Sequence, residues 1–250
     1  MTRDNSDRIE DLFSASSRDL TPAPARGAAH VLYSPVSHDP EVTKLCASVL
    51  SDTELQRADR FVAEGDKALF NQRRAFRRFC GALVLGSSRP LSEIAFNETD
   101  NERPCLSDSP DYWFSFSSCR FGFVGAWSAT HGVGVDLEDQ SKDFEASELA
   151  QRFFSVAEAK AVEEPGGLAS RQMFFQLWTL KEAALKSIGE GLPFGLDAFE
   201  FELVPEIRVV QAPRDHGGPE QFSAHVIEGT ESCGALVIRS PTGRTPFNYS

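Results

Sequence analysis

Hydrophobic positions change their period along the chain, and each change predicts an element. Residues 30–34 alternate like a short strand. From 43 to 61 the spacing turns helical, with Ser51-x-x-Glu54 as a capping-box signature ahead of Leu55. A longer helix is predicted over 66–85. Leu69, Phe70, Phe76, Phe79 and Leu83 form its apolar stripe, and Arg73, Arg74, Arg77 and Arg78 its other face. Gly86 and Pro90 end it. Strand-like runs follow at 93–96, 113–117, 121–128 and 132–138. Ser155-x-x-Glu158 opens a second short helix, which Pro165-Gly166-Gly167 closes. Residues 169–188 read as one long helix with Met173, Leu177, Leu180, Ala184 and Ile188 on the apolar side, closed by Gly189 and Gly191. The remainder alternates strand-like runs at 199–204, 208–211, 222–227 and 235–239 with Gly/Pro turns.

Helices and meandering strands in both halves predict an α+β fold rather than a doubly wound parallel sheet. Each half holds a long helix followed by strands, so two similar subdomains are expected to meet near 128–132. Residues 1–28 lack sustained periodicity and are expected to form a mobile, disordered tail. The subdomains then span 29–130 and 131–250.

Composition narrows the function. Of 250 residues, 41% are hydrophobic and 25% charged, which is ordinary for a folded domain large enough to bury a core. The net charge of −12 argues against a generally basic nucleic-acid binder and against a polybasic membrane-surface protein. No run approaches the roughly 20 apolar residues of a membrane span. The opening MTRDNSDRIEDLF lacks the apolar stretch of a secretory signal. The expected location is cytoplasmic, with no nucleic-acid or membrane partner. The five cysteines (46, 80, 105, 119 and 233) include no CxxC pair and are expected to be buried, reduced thiols.

Two segments carry candidate chemistry. In Gly132-Val133-Gly134-Val135-Asp136-Leu137-Glu138 a strand places Val133, Val135 and Leu137 on one face, and Gly134, Asp136 and Glu138 on the other. The two carboxylates are then roughly 6–7 Å apart along the backbone, within reach of one hard cation. A solvated acidic strand face is the plainer alternative. The glycines are expected to leave room for a bulky ligand. In the second segment, Trp178, Glu182 and Lys186 recur at i, i+4 and i+8 and share a helix face. Glu182 and Lys186 are either a surface ion pair or a metal ligand with a phosphate-binding ammonium. The arginines at 57, 60, 73, 74, 77 and 78 are either a solvated basic face or an anion site. No phosphate loop, dinucleotide fingerprint or nucleophilic triad is present.

Taken together, these segments resemble the 4'-phosphopantetheinyl transferases of the larger surfactin-synthetase-activator type. Gly134-Val135-Asp136-Leu137-Glu138 is similar to the family's metal motif. Phe153-Phe154-Ser155-x-x-Glu158 is similar to its linking element. Trp178-x-x-Lys181-Glu182-Ala183-x-x-Lys186-x-x-Gly189-x-Gly191-Leu192 is similar to its KEA motif throughout. Upstream, Leu50-Ser51-x-x-Glu54-x-x-Arg57-Ala58-x-Arg60-Phe61 and Arg74-Ala75-x-x-Arg78 resemble its N-terminal helices. The likeness covers roughly residues 30–205. Two positions depart from it. Arg103 replaces the lysine of a G-K-P turn, and Ser118 replaces a histidine that contacts coenzyme A phosphates in the family. A serine donates one hydrogen bond and carries no charge, so the charge is lost or moves to Arg120.

The resemblance implies two α+β subdomains related by a pseudo-twofold axis, with the ligand in the cleft between them and a monomeric chain. It implies transfer of 4'-phosphopantetheine from coenzyme A to a serine of an apo acyl or peptidyl carrier protein, releasing 3',5'-adenosine bisphosphate. Asp136, Glu138 and Glu182 are the implied Mg²⁺ ligands, with Mn²⁺ as an alternative ion. Glu182, Asp136 and Lys186 are the implied catalytic residues. Among the implied coenzyme A-binding residues, Arg57, Arg74, Arg103, Ser117 and Ser118 fall on or near the binding wall, Arg74 having helix packing as its alternative role; Lys186 pairs with the phosphates, and Lys181 positions either the pyrophosphate or the helix. Ser118 also keeps open a second reading, a catalytically degenerate homologue that binds coenzyme A or a carrier protein without transfer.

Overall fold

A computed structural model describes residues 5–21, 28–86, 89–97, 103–228 and 231–241. Its central scaffold is two antiparallel sheets. The first has strand order β1-β2-β6-β5, from β1 (Arg18–Asp19), β2 (His30–Pro35), β5 (Trp113–Cys119) and β6 (Gly122–Ser128). The second has order β10-β11-β7, from β7 (Gly132–Asp139), β10 (Phe222–Glu228) and β11 (Ser232–Arg239). Two small hairpins complete the strands: β3 (Phe96–Asn97) with β4 (Cys105–Leu106), and β8 (Glu200–Glu202) with β9 (Arg208–Gln211). The α+β expectation holds.

Period-two alternation sorts the strand side chains into separate cores. Val31, Val124 and Ala126 of the first sheet meet Val133, Val135, Leu137, Leu236 and Ile238 of the second in one apolar layer. The outer face of the first sheet, with Phe114, Phe123 and Trp127, packs on α4 (Glu64–Leu85) through Phe76 and Phe79. The outer face of the second, with Ala235 and Val237, packs on α7 (Gly167–Ser187) through Leu177, Leu180 and Ala184. Helices therefore cover both outer faces.

The capping boxes form as their spacing predicts. Ser51 caps α3 (Asp52–Ala58) and Ser155 caps α6 (Val156–Glu163), each with its glutamate three residues on bonded back to the cap N–H. The helical pattern at 43–61 resolves into α2 (Pro40–Ala47) and α3, because Asp39 caps the first and Ser51 restarts the second. Gly86 closes α4 in the left-handed region at φ 61°, which a residue without Cβ adopts at little cost.

Two expectations need correction. Within the predicted tail, residues 5–16 form α1 (Asn5–Ser16), and Ile9 and Phe13 are buried against Phe76 and Phe79. A one-sided apolar pair on a short polar helix leaves too weak a periodicity to read. Residues 1–4 and 22–27 of that segment lie outside the described residues. The helix α5 (Ala146–Phe153) also went unread, although it delivers Ala150 to the core. Of the cysteines, Cys105 is half-buried and the other four are buried. No helix among the described residues is long and apolar enough to cross a membrane.

Candidate functional site

The glycines of β7 explain how the site is built. A Cβ on Gly134 would stand 1.8 Å from the carbonyl oxygen of Ala183, and one on Gly132 would stand 2.3 Å from that of Ser187. Both distances are impossible for side chains. The space is therefore filled by α7, which crosses β7 backbone to backbone. This corrects the expectation that the glycines admit a ligand: they admit a helix. The consequence is that Glu182 and Lys186 are lowered onto the strand at Asp136.

Asp136 is buried at 4% exposure. Its Oδ1 accepts from Lys186 Nζ at 2.7 Å and from Ser117 Oγ at 2.9 Å. Its Oδ2 is buried with no hydrogen-bond partner. Lys186 Nζ also donates to the Val135 carbonyl at 3.2 Å. Burial pushes the Glu182 carboxyl up to about 7; Lys186 draws it down, while the charges of Asp136 and Glu138 push it further up. Three carboxylates thus share one field, with the Lys186 ammonium among them and Lys142 at their edge. Burial alone would lower the Lys186 ammonium, but Asp136 and Glu182 outweigh it and raise it. Glu138 stands at the edge of the group and accepts from Lys142 Nζ at 2.6 Å.

Strand β5 closes the site from the other sheet. It runs beside β7 without a backbone ladder. Side chains bridge the gap instead: Ser115 Oγ accepts the Val135 N–H at 3.0 Å, and Ser117 reaches Asp136. Ser115 is a residue that the sequence reading missed. Its signal was alternation, since Ser115 and Ser117 fall on one face of a strand beside the acidic motif.

The other expected residues fall into different surroundings. Lys181 is fully buried. Its Nζ donates to Glu158 Oε2 at 2.7 Å, to Leu196 O at 3.1 Å and to Phe199 O. Burial lowers this ammonium, and Glu158 opposes that shift. A side chain so enclosed does not reach a phosphate, which agrees with the helix-positioning alternative for Lys181 and not with a pyrophosphate contact. Arg74 and Arg78 both bind Glu54, which agrees with the helix-packing role for Arg74 and not with ligand contact. Burial would raise the Glu54 carboxyl, but hydrogen bonds from Arg78, the Ser51 N–H and Arg74 hold it down at about 2. Arg57 and Arg73 lie over the Phe70 ring, and Arg77 over Phe116, forming a basic–aromatic wall. Arg103 stacks on Trp113 at 4.4 Å and donates to the Tyr112 carbonyl. Glu102, its neighbour in the predicted turn, lies outside the described residues. Ser118 sits on β5 opposite Phe123. Arg120 ion-pairs with Asp139 at 2.9 Å. His131 hydrogen-bonds Thr130 at the other end of β7.

The donor set at Asp136, Glu138 and Glu182 is all oxygen, which suits a hard divalent cation that retains waters. Among the described residues no three His, Cys, Asp or Glu side chains form a ready-made metal cage. The buried, partnerless Asp136 Oδ2 is nevertheless what a cation would satisfy, so the residues fit such an ion if waters or substrate oxygens complete its shell.

An α+β chain with a carboxylate–lysine cluster at a helix–strand crossing is the class that these features define. Residues 132–237, from β7 into β11, match the family model of the 4'-phosphopantetheinyl transferase superfamily. The chain is 30% identical over 130 residues to the 4'-phosphopantetheinyl transferase psf-1 of Bacillus pumilus, covering 52% of this chain and 54% of that one. It is 33% identical over 156 residues to a putative 4'-phosphopantetheinyl transferase of Synechocystis sp., covering 60% and 61%. To the 4'-phosphopantetheinyl transferase Sfp of Bacillus subtilis it is 28% identical over 178 residues, covering 67% and 78%. The matched region thus spans less than two thirds of the first two relatives.

Proposed function

We propose that this chain transfers 4'-phosphopantetheine from coenzyme A to a serine hydroxyl of an apo acyl or peptidyl carrier protein, releasing 3',5'-adenosine bisphosphate. The observation that carries the proposal is Asp136. It is buried between Lys186 and Ser117 with one oxygen left over, beside a Glu182 carboxyl whose proton affinity is raised to near neutrality.

The reaction is attack on a phosphorus shielded by negative oxygens, so alignment and charge neutralisation carry most of the catalysis. Asp136, Glu138 and Glu182 would hold Mg²⁺, or Mn²⁺, which when bound neutralises pyrophosphate charge and stabilises the leaving phosphate. Lys186 adds positive charge on the same side. Glu182 is the candidate base for the incoming serine. Ser117 orients Asp136. Arg57 and Arg103 belong to the wall offered to the adenosine phosphates, and Arg73 and Arg77 extend that wall beyond the residues chosen from sequence. Ser118 supplies a hydroxyl there.

The same reading includes a monomeric, cytoplasmic chain with subdomains at 29–130 and 131–250, related by a pseudo-twofold axis. One parallel supports that symmetry. In each half a capping-box glutamate, Glu54 or Glu158, also accepts from a cation on the long helix, Arg78 or Lys181.

The test is intact-mass spectrometry of an apo carrier protein incubated with this protein, coenzyme A and Mg²⁺. Addition of one phosphopantetheine mass, abolished by EDTA, is the expected result. No addition across fatty-acid, polyketide and peptide carriers, with coenzyme A binding intact, would favour the second reading. That reading, a binder without turnover, rests on Ser118, where the family's cationic histidine is missing.

A further inference from the structure

Strands β5 and β7 are the facing edges of two different sheets, and Asp136 sits on that seam. Within a sheet, a backbone carbonyl of the neighbouring strand accepts each ladder N–H. At the seam a side chain takes that part. Val135, opposite Leu236 of β11, gives its N–H to Ser115 Oγ at 3.0 Å, and its C=O accepts from Lys186 Nζ at 3.2 Å. Both backbone groups of Val135 are thus held, one by β5 and the other by α7. The next residue is Asp136, whose Oδ1 is held from the same two elements, by Ser117 and by Lys186. These four hydrogen bonds fix one two-residue step of β7.

Ser115 is 3% exposed, and its oxygen serves the backbone rather than a carboxylate. Removing that oxygen would leave the Val135 N–H buried without its acceptor, the costly form of a lost hydrogen bond. It would also free the backbone from which Asp136 springs. Misplacing a reacting group by about 1 Å is enough to slow a reaction about 100-fold. We propose that Ser115 is a positioning residue for the transfer: by holding the Val135 N–H across the seam, it sets where the Asp136 carboxylate points and where its partnerless Oδ2 is presented. Enclosed in the seam, Ser115 acts on the chemical step and not on the capture of either substrate. This inference rests on the transferase reading and adds to it a residue that touches no substrate.

Three variants test it: Ser115→Ala, Ser115→Cys, whose sulfur is a weaker acceptor, and Ser170→Ala as a control. Ser170 is 5% exposed and donates to the Val162 carbonyl. It lies about 18 Å along α7 from Glu182. Amide hydrogen exchange in the unliganded protein reads the bond itself. The Val135 N–H should exchange about tenfold faster in Ser115→Ala and at the wild-type rate in Ser170→Ala. Turnover on an apo carrier protein reads the consequence. Ser115→Ala should lose about 10- to 100-fold in kcat, and Ser115→Cys less. The KM values for coenzyme A and carrier should stay within about twofold of wild type. Ser170→Ala should keep the wild-type kcat even where its melting temperature falls as far as that of Ser115→Ala. A kcat loss in Ser115→Ala no larger than in Ser170→Ala would overturn the positioning role, as would a raised KM at unchanged kcat. Should Ser115→Ala fail to fold, Ser115→Cys decides on the same readings. Wild-type protein inactive on every carrier class would instead overturn the transferase reading, and this inference with it.

Discussion

Two clusters in the molecule use the same chemistry to opposite ends. In the first, Glu54 meets Arg74 and Arg78, and both of its oxygens are used by guanidinium groups and the helix cap. In the second, Asp136 meets Lys186 and Ser117 through one oxygen, and the other oxygen is left over. In the first, both carboxylate oxygens are paired, Arg78 Nε being left without a partner, and the cluster holds two helices together. The second is unfinished, with a Glu182 carboxyl beside it that burial has made reluctant to ionise. Satisfaction of the carboxylate oxygens, and not charge pairing as such, separates the structural cluster from the chemical one. Lys181 obeys the same rule. It lies next to Glu182 in sequence, yet its ammonium is enclosed by Glu158 and two carbonyls.

The sharpest way to break this contrast is Glu182→Gln. Transfer should vanish, with the melting temperature within a few degrees of wild type; near-normal turnover would remove Glu182 from the chemistry. Lys181→Met and Lys186→Met form the next pair. Lys181→Met leaves Glu158 buried and unpaired and should cost about 3–5 kcal/mol of stability in denaturant titrations. Lys186→Met should lower turnover about 100-fold with a smaller stability loss, because the Lys186 ammonium is partly exposed and Asp136 keeps the Ser117 hydroxyl. Equal stability losses in the two would erase the distinction. Gly134→Ala should act on both properties, because the new Cβ has no room against Ala183. Overpacking of this kind costs about 1–3 kcal/mol, and the displaced helix should carry Glu182 and Lys186 away from Asp136.

The effect confined to the narrowest conditions concerns acid. The Glu54 carboxyl is held at about 2, below its ordinary 4.5. Its contribution to stability is therefore complete above pH 4.5 and is lost as pH falls through 2. The contribution is on the order of 2–3 kcal/mol. Glu54→Gln should flatten the acid limb of the stability curve over that window. An unchanged limb would mean that the arginine cluster does not bind the ionised carboxylate.

Much of this contrast was open to reading in the chain itself. The alternation around Asp136 and the i, i+4 spacing of Glu182 and Lys186 are local patterns, and the structure keeps both. What lay hidden depends on contacts distant in sequence. Nothing local distinguishes a glycine that admits a ligand from Gly134, which admits a helix lying some fifty residues on. Nor does spacing show that Glu54 and Glu158, legible as helix caps, turn their remaining capacity to Arg78 and Lys181. The arginines of α4 read as one basic face. The helix turns Arg74 and Arg78 toward Glu54, and Arg73 and Arg77 toward aromatic rings. Helix α1 escaped because Ile9 and Phe13 are too few to set a period, though both are buried.

The most direct test of the unfinished cluster is calorimetric titration of Mg²⁺ into the protein saturated with coenzyme A, with wild type and Asp136→Asn compared at equal fold stability. Cation binding by wild type, lost in Asp136→Asn while coenzyme A still binds, is the predicted result. Equal Mg²⁺ affinity in both proteins would contradict the assignment of Asp136 and, with it, the distinction between the two clusters.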